Sequence, residues 1–239
     1  MFDIFEQGIF KKCTSSKAIG CLMLLQMALG LLLNFYYLKP ILAYDNETPI
    51  EVINTILGVA TLLALVVSAL NLVFGLLLPK QQIKRQFRTF RVLVLLATAG
   101  IVMCANEYAQ LSKYVTFLTT VIDLQPDTSA STLELIRTSI AAGRNEAHFL
   151  SIFISSTSLL VFYIFLLRGR MIPTILCVFA IAAAFGQLIA VGHTFFQAAI
   201  PNIIQLPLSI TQLIVPFYLL MYGFKSDEFL LSPDSQSTH

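Results

Sequence analysis

Three side chains in this sequence combine proton- or metal-binding chemistry with a place beside long apolar runs: Glu107, His148 and His193. Arg144 and Gln197 accompany them at spacings that suit the same helical faces. Two imidazoles and a carboxylate can relay protons or ligate a metal, and an arginine beside them can hold an anionic head group. Because Glu107, His148 and His193 belong to three different apolar runs, any joint chemistry depends on how the runs pack.

Arg144, His148, Ser151, Ser155 and Ser158 follow one another at spacings of four, three, four and three residues, one continuous stripe on a helix. Glu146 falls opposite Arg144 and leaves the stripe. At a rise of 1.5 Å per residue, Glu107 lies about 24 Å beyond Arg91, and His193 more than about 30 Å beyond Arg170. His148 sits at the entry of its own run. The strongest polar groups are thereby expected at one level, and Glu107, Arg144, His148, His193 and Gln197 are the candidate lining of an external, water-accessible vestibule. The competing reading is that polar residues gather near a bilayer interface because they are cheap there, without converging.

The elements that must position these groups are apolar. Of 239 residues, 57% are apolar and only 12% charged, and the mean hydropathy is +0.81. A soluble domain carries about 25% charged residues. About 20 apolar residues are needed to cross a hydrocarbon core as a helix. Six runs meet that length, over residues 18–38, 53–78, 92–111, 147–167, 172–197 and 203–224. They are continuous rather than alternating, which excludes a membrane barrel. The expected fold is an all-α integral membrane protein, a bundle of six transmembrane helices.

Lysine and arginine set the expected orientation. Lys11, Lys12 and Lys17 precede the first run, Lys80, Lys84, Arg85, Arg88 and Arg91 join the second to the third, Arg168 and Arg170 join the fourth to the fifth, and Lys225 follows the sixth. All fall on one side, so both termini are expected in the cytoplasm. Residues 1–17 read as a short interfacial amphipathic helix with Phe2, Phe5 and Ile9 on one face, residues 18–224 as the six-helix domain, and residues 225–239 as a polar tail. The first run reads as a retained helix, since no clear small-residue cleavage site follows it. The external loop over 122–146 carries a helical stretch that either forms a lid or extends the fourth run. Asn46-Glu47-Thr48 in the first external loop is a glycosylation sequon.

Two stripes of small residues read as packing seams: Ala60, Ala64, Ser68, Asn71 and Gly75 in the second run, and Ala182, Gly186 and Ala190 in the fifth. Asn71 is the expected hydrogen-bonding residue of the first seam. The four cysteines show no metal-ligand or CxxC spacing and read as free thiols. No HExxH or HxxxH pair, GxSxG elbow or glycine-rich phosphate loop is present, so no catalytic residue, metal or cofactor is assigned. A formal charge of +2 gives no reason to expect a nucleic-acid partner.

Residues 147–184, with a histidine leading the fourth run, an Arg-Gly turn and a proline opening the fifth, together with "TQLIVPFYLLMYGFK" near the end, resemble an uncharacterised family of bacterial multi-pass membrane proteins, DUF4386. The resemblance covers about residues 85–224, with His148, Pro173 and Gly223 at matching positions. Gln212 stands where a glutamate is expected. The resemblance implies a compact helical bundle and no particular activity.

These features predict a multi-pass protein of a bacterial inner membrane or a plasma membrane. The leading expectation is non-catalytic binding of a lipid or lipophilic small molecule, or association with a second copy or another membrane protein. The alternative is a small proton- or ion-coupled transporter using the external vestibule. A metal-dependent membrane hydrolase is the weaker third reading, since it needs both histidines and a carboxylate within reach of one ion.

Overall fold

The computed structural model describes residues 15–42, 49–123, 130–196 and 202–225. The expected N-terminal interfacial segment up to residue 14, the sequon, Gln197 and the polar tail from residue 226 lie outside the described residues.

Every regular element among the described residues is helical. Helix α1 spans Ser15–Leu42, α2 Ile50–Leu76, a short α3 Lys80–Arg85, α4 Phe87–Asp123, α5 Ala130–Arg168, α6 Thr174–Thr194 and α7 Asn202–Tyr222. Five of these are long and apolar enough to cross a membrane, and Pro207–Tyr222 within α7 is a shorter apolar helix. Apolar side chains point outward from the bundle, among them Ile175 at 82% exposure, Leu95 at 69% and Leu62 at 68%. Such a belt is stable against acyl chains and unfavourable against water. The chain is an all-helical protein of integral membrane type.

The long helices pack in sequence order, α1 on α2, α2 on α4, α4 on α5, α5 on α6 and α6 on α7, and α7 returns to α1. The result is a closed ring of six. Helix starts follow local chemistry: α2, α3 and α6 each begin directly after a proline, Pro49, Pro79 and Pro173, whose fixed φ suits the entry to a helix. Helix α1 changes to π geometry over Leu33–Leu38. Pro40 follows two residues later; it lacks the N–H that would bond the Tyr36 carbonyl and crowds that carbonyl. The regular helical ladder is weakest there, and the wider turn accommodates the misfit.

Of the two expectations for the helical stretch within 122–146, extension of the fourth run is the one observed, and α4 is longer than its apolar run. The segment expected as an external loop over residues 122–146 is helical from Ala130 onward and continuous with α5. Helix α4 likewise runs on to Asp123. Each extension prolongs the hairpin beyond the apolar runs, and the two helices form the most extensive pairing in the bundle. The reason is local: Ala130 to Ala142 contains no proline or glycine, and leucine, isoleucine and alanine sustain the helix.

Two separate apolar clusters hold the ring. The larger gathers side chains from all six long helices, including Ile19, Phe74, Leu93, Phe162, Phe165, Ala184 and Leu219. It lies toward the end where the basic residues collect. There Arg168 donates to the Thr89 hydroxyl at 3.0 Å, the Gln86 amide donates to the Phe165 carbonyl at 3.2 Å, and the Lys225 N–H donates to the Met171 carbonyl at 2.8 Å. The smaller cluster joins α1, α2 and α4 alone, through Leu38, Ile41, Ile53, Ala60, Leu111 and Val115. Among the described residues, α5, α6 and α7 contribute no side chain to it. Among those residues, then, the larger cluster at the basic end draws on all six long helices and the smaller one on three.

Candidate functional site

The space left between the two clusters is a cavity of about 400 Å³. Helix α1 lines it with Met23, Gln26, Met27, Gly30 and Asn34, α2 with Ser68 and Asn71, α4 with Cys104, Glu107 and Tyr108, α5 with His148, Ser151, Ser155 and Ser156, and α7 with Leu208 and Gln212. Helix α6 does not reach it. Its floor is fixed where α1 and α7 touch: a Cβ on Gly20 would stand 2.8 Å from the Pro216 carbonyl oxygen. Ten residues on, about 15 Å along α1, Gly30 faces open space with nothing within 4 Å of such a Cβ.

Glu107 and His148 meet in this cavity. The His148 Nδ1 lies 2.6 Å from Glu107 Oε1, and the two side chains are 30% and 10% exposed respectively. A contact this short is the geometry of a charge-assisted hydrogen bond. The spacing along each helix explains the meeting: Cys104, Glu107 and Tyr108 share one face of α4, and the histidine begins the serine stripe of α5 that packs against it. Gly100 lets the helices approach here, since a Cβ at that position would come within 3.3 Å of the Ser155 hydroxyl. With Nδ1 committed to the carboxylate, the other ring nitrogen is free to exchange a proton or meet a ligand.

A second polar bridge crosses the cavity. The Gln26 amide donates to the Val67 carbonyl at 2.9 Å and to Asn71 Oδ1 at 3.1 Å, linking α1 to α2. Asn71 thus acts as the expected interhelical hydrogen-bonding residue. Its stripe neighbours Ala60, Ala64, Ser68 and Gly75 are buried, and the Ser68 hydroxyl has no partner.

The other expected vestibule residues part company with this pair. His193 is exposed, and its Nδ1 is held 2.8 Å from the Ile189 carbonyl of its own helix. It cannot join the cavity, because α6 turns a different face inward. That face is Cys177, Ala180, Ala184, Gln187 and Val191, and Ala182 is exposed. The small-residue seam expected at Ala182, Gly186 and Ala190 is thus rotated by about 100° from the buried face, which only Ala190 shares. Arg144 is half-buried one turn before His148, outside the cavity lining, with Nη1 donating to Asn145 Oδ1 at 3.1 Å and Nε without a partner. Glu146 is exposed, as the helical geometry requires. Ser158 is buried away from the cavity.

No group of three metal-ligating side chains occurs among the described residues, and His193 does not line the cavity that holds Glu107 and His148. Several cavity residues were not singled out from the sequence. Gln26 and Gly30 recur at spacings of four with Asn34, a residue already expected at the external level, and that polar and small stripe within an apolar run was an available signal. Tyr108, one position after Glu107, carried no signal of its own.

The fold and the site define a class: an all-helical membrane-type bundle with a polar cavity inside its ring. No family model, no curated protein and no solved structure matches the chain.

Proposed function

We propose that this protein binds a small amphiphilic molecule in the central cavity, without catalysing a reaction on it. The single observation that carries the reading is the cavity itself. Pockets of about 300–1,000 Å³ with an apolar wall and a few convergent polar groups are the usual form of small-molecule sites. Here Glu107, His148 and Tyr108 supply the polar corner, and Met23, Met27, Leu31 and Leu159 the apolar wall. Methionines suit a site that adapts to its occupant.

In the bilayer, six spans with both termini in the cytoplasm would put the basic cluster inside and the cavity toward the external face. The test is occupancy. Gly30→Trp would place an indole in the void, since its Cβ meets nothing. Native mass spectrometry of the protein released from lipid nanodiscs should find a bound small molecule or lipid that is missing from Gly30→Trp. Identical bound mass in both proteins would reject the reading.

A second reading has its own support in the Glu107–His148 contact. A titratable pair inside a membrane-spanning bundle is the usual mark of proton relay and ion coupling. On this reading the cavity is one state of a small proton-coupled transporter. Substrate-dependent proton movement in sealed vesicles, lost in Glu107→Gln, would favour it over simple binding.

A further inference from the structure

Resting on the small-molecule reading of the cavity, we propose that its ligand is a lipophilic organic cation, and that the cation exchanges for the proton held by the Glu107–His148 pair.

The charge of the lining leads to this class. Among the described residues lining the cavity there is no lysine or arginine, and Glu107 is the one carboxylate. The titratable groups facing the pair are Cys104 and Tyr108 on its own helix α4, while α1, α2 and α7 contribute only the uncharged Gln26, Asn34, Ser68, Asn71 and Gln212. Arg144, one turn before His148 on α5, lies outside the lining; its Nη1 donates to Asn145, its Nε has no partner, and its charge acts on Tyr108 at the cavity's edge. With His148 neutral the cavity holds one negative charge. With His148 protonated it holds none. Within the lining itself an anion finds no unpaired positive charge, whereas a cation finds Glu107 when the imidazole is neutral.

The remaining walls suit an apolar body around a positive centre. Tyr108 presents an aromatic ring, Met23 and Met27 present polarisable sulfurs, and the amide oxygens of Gln26, Asn34 and Gln212 can accept from an ammonium. The exchange balances: one positive charge enters beside the Glu107 carboxylate, the imidazolium loses its proton to water, and the site's net charge is unchanged. No bond is made or broken beyond those of the proton. Linkage then requires that the proton and the cation weaken each other equally. Cation affinity should rise by up to about tenfold per pH unit while the pair still holds its proton and level off once the proton is gone.

The test uses benzyltrimethylammonium and its uncharged isostere neopentylbenzene, with the protein in nanodiscs. Specific binding is taken as the part lost in Gly30→Trp. At pH 8 the cation should bind at least about tenfold more tightly than the isostere, and Glu107→Gln should remove that preference. His148→Gln should flatten the pH profile and bind the cation more tightly than the native protein at pH 5.5, which loss of fold would not produce. The exposed Glu146→Gln should behave as the native protein. Equal binding of the two probes, or cation binding that survives Glu107→Gln, overturns the cation assignment and leaves the small-molecule reading standing. Cation binding whose affinity does not change with pH over the whole range in which the protein stays folded overturns the exchange. Absence of any Gly30→Trp-sensitive binding for both probes rejects both readings.

Discussion

At the scale of single residues, the energetics turn on the contact between Glu107 and His148. A buried carboxylate deprived of its partner is costly, whereas removing both polar groups together costs much less. His148→Ala should therefore destabilise the bundle by about 1–3 kcal/mol, and Glu107→Leu in the His148→Ala background should restore part of that loss. Thermal unfolding of the four proteins of this cycle in nanodiscs measures the coupling. Single effects that simply add, to within about 0.5 kcal/mol, would show that the two groups do not interact. The sequence made both residues visible, because an ionisable group within an apolar run stands out. It did not make their pairing visible. His193 looked equally suitable by depth, and depth along a helix says nothing of the direction in which a side chain points.

At the scale of helices, two glycines of α1 separate close packing from open space. Gly20 meets the Pro216 carbonyl and the side chains of Leu219 and Leu220, whereas Gly30 meets nothing. Gly20→Ala should cost on the order of 1–3 kcal/mol by overpacking, and Gly30→Ala should stay within about 0.5 kcal/mol of the native protein. Midpoints of thermal unfolding that fall together for both variants would contradict the contact between α1 and α7. Helix α6 offers a matching contrast. Ala180 is wholly buried and Ala182 is exposed, so Ala180→Leu should destabilise by about 1–3 kcal/mol while Ala182→Leu is tolerated. Equal effects of the two leucines would place the α6 face wrongly.

The six runs were legible as helices because apolar length is a strong signal. The buried face of α6 was not, since alanines occupy nearly every position of Ala180–Ala184 and small size alone does not choose among them. The extension of α5 was one of two expectations for that stretch, and the extension of α4 was not expected, for a related reason. They carry charged and hydroxyl side chains, so hydropathy ended the runs where the helices continue.

At the scale of the whole molecule, the ring has one well-filled end and one cavity, and both follow from how apolar bulk is distributed. Aromatic and leucine side chains from all six long helices meet near the basic residues. Toward the other end, glycine, serine and amide side chains face inward and leave room. That closure of α7 onto α1 could not be read from the chain, because it depends on Gly20 and Pro216, nearly 200 residues apart in sequence. A cavity reached by water is the condition on which small-molecule binding, proton coupling and cation exchange all rest.

Cys104 reports on that condition directly, because it lines the cavity beside Glu107, while Cys177 is buried in the larger apolar cluster with no exposure. With Cys13 and Cys21 replaced by serine, a small membrane-impermeant methanethiosulfonate should modify Cys104 in sealed vesicles from the face opposite the basic cluster. Cys177 should stay unmodified, and Gly30→Trp should protect Cys104. A Cys104 as inert as Cys177, or one labelled equally in Gly30→Trp, would contradict the central cavity.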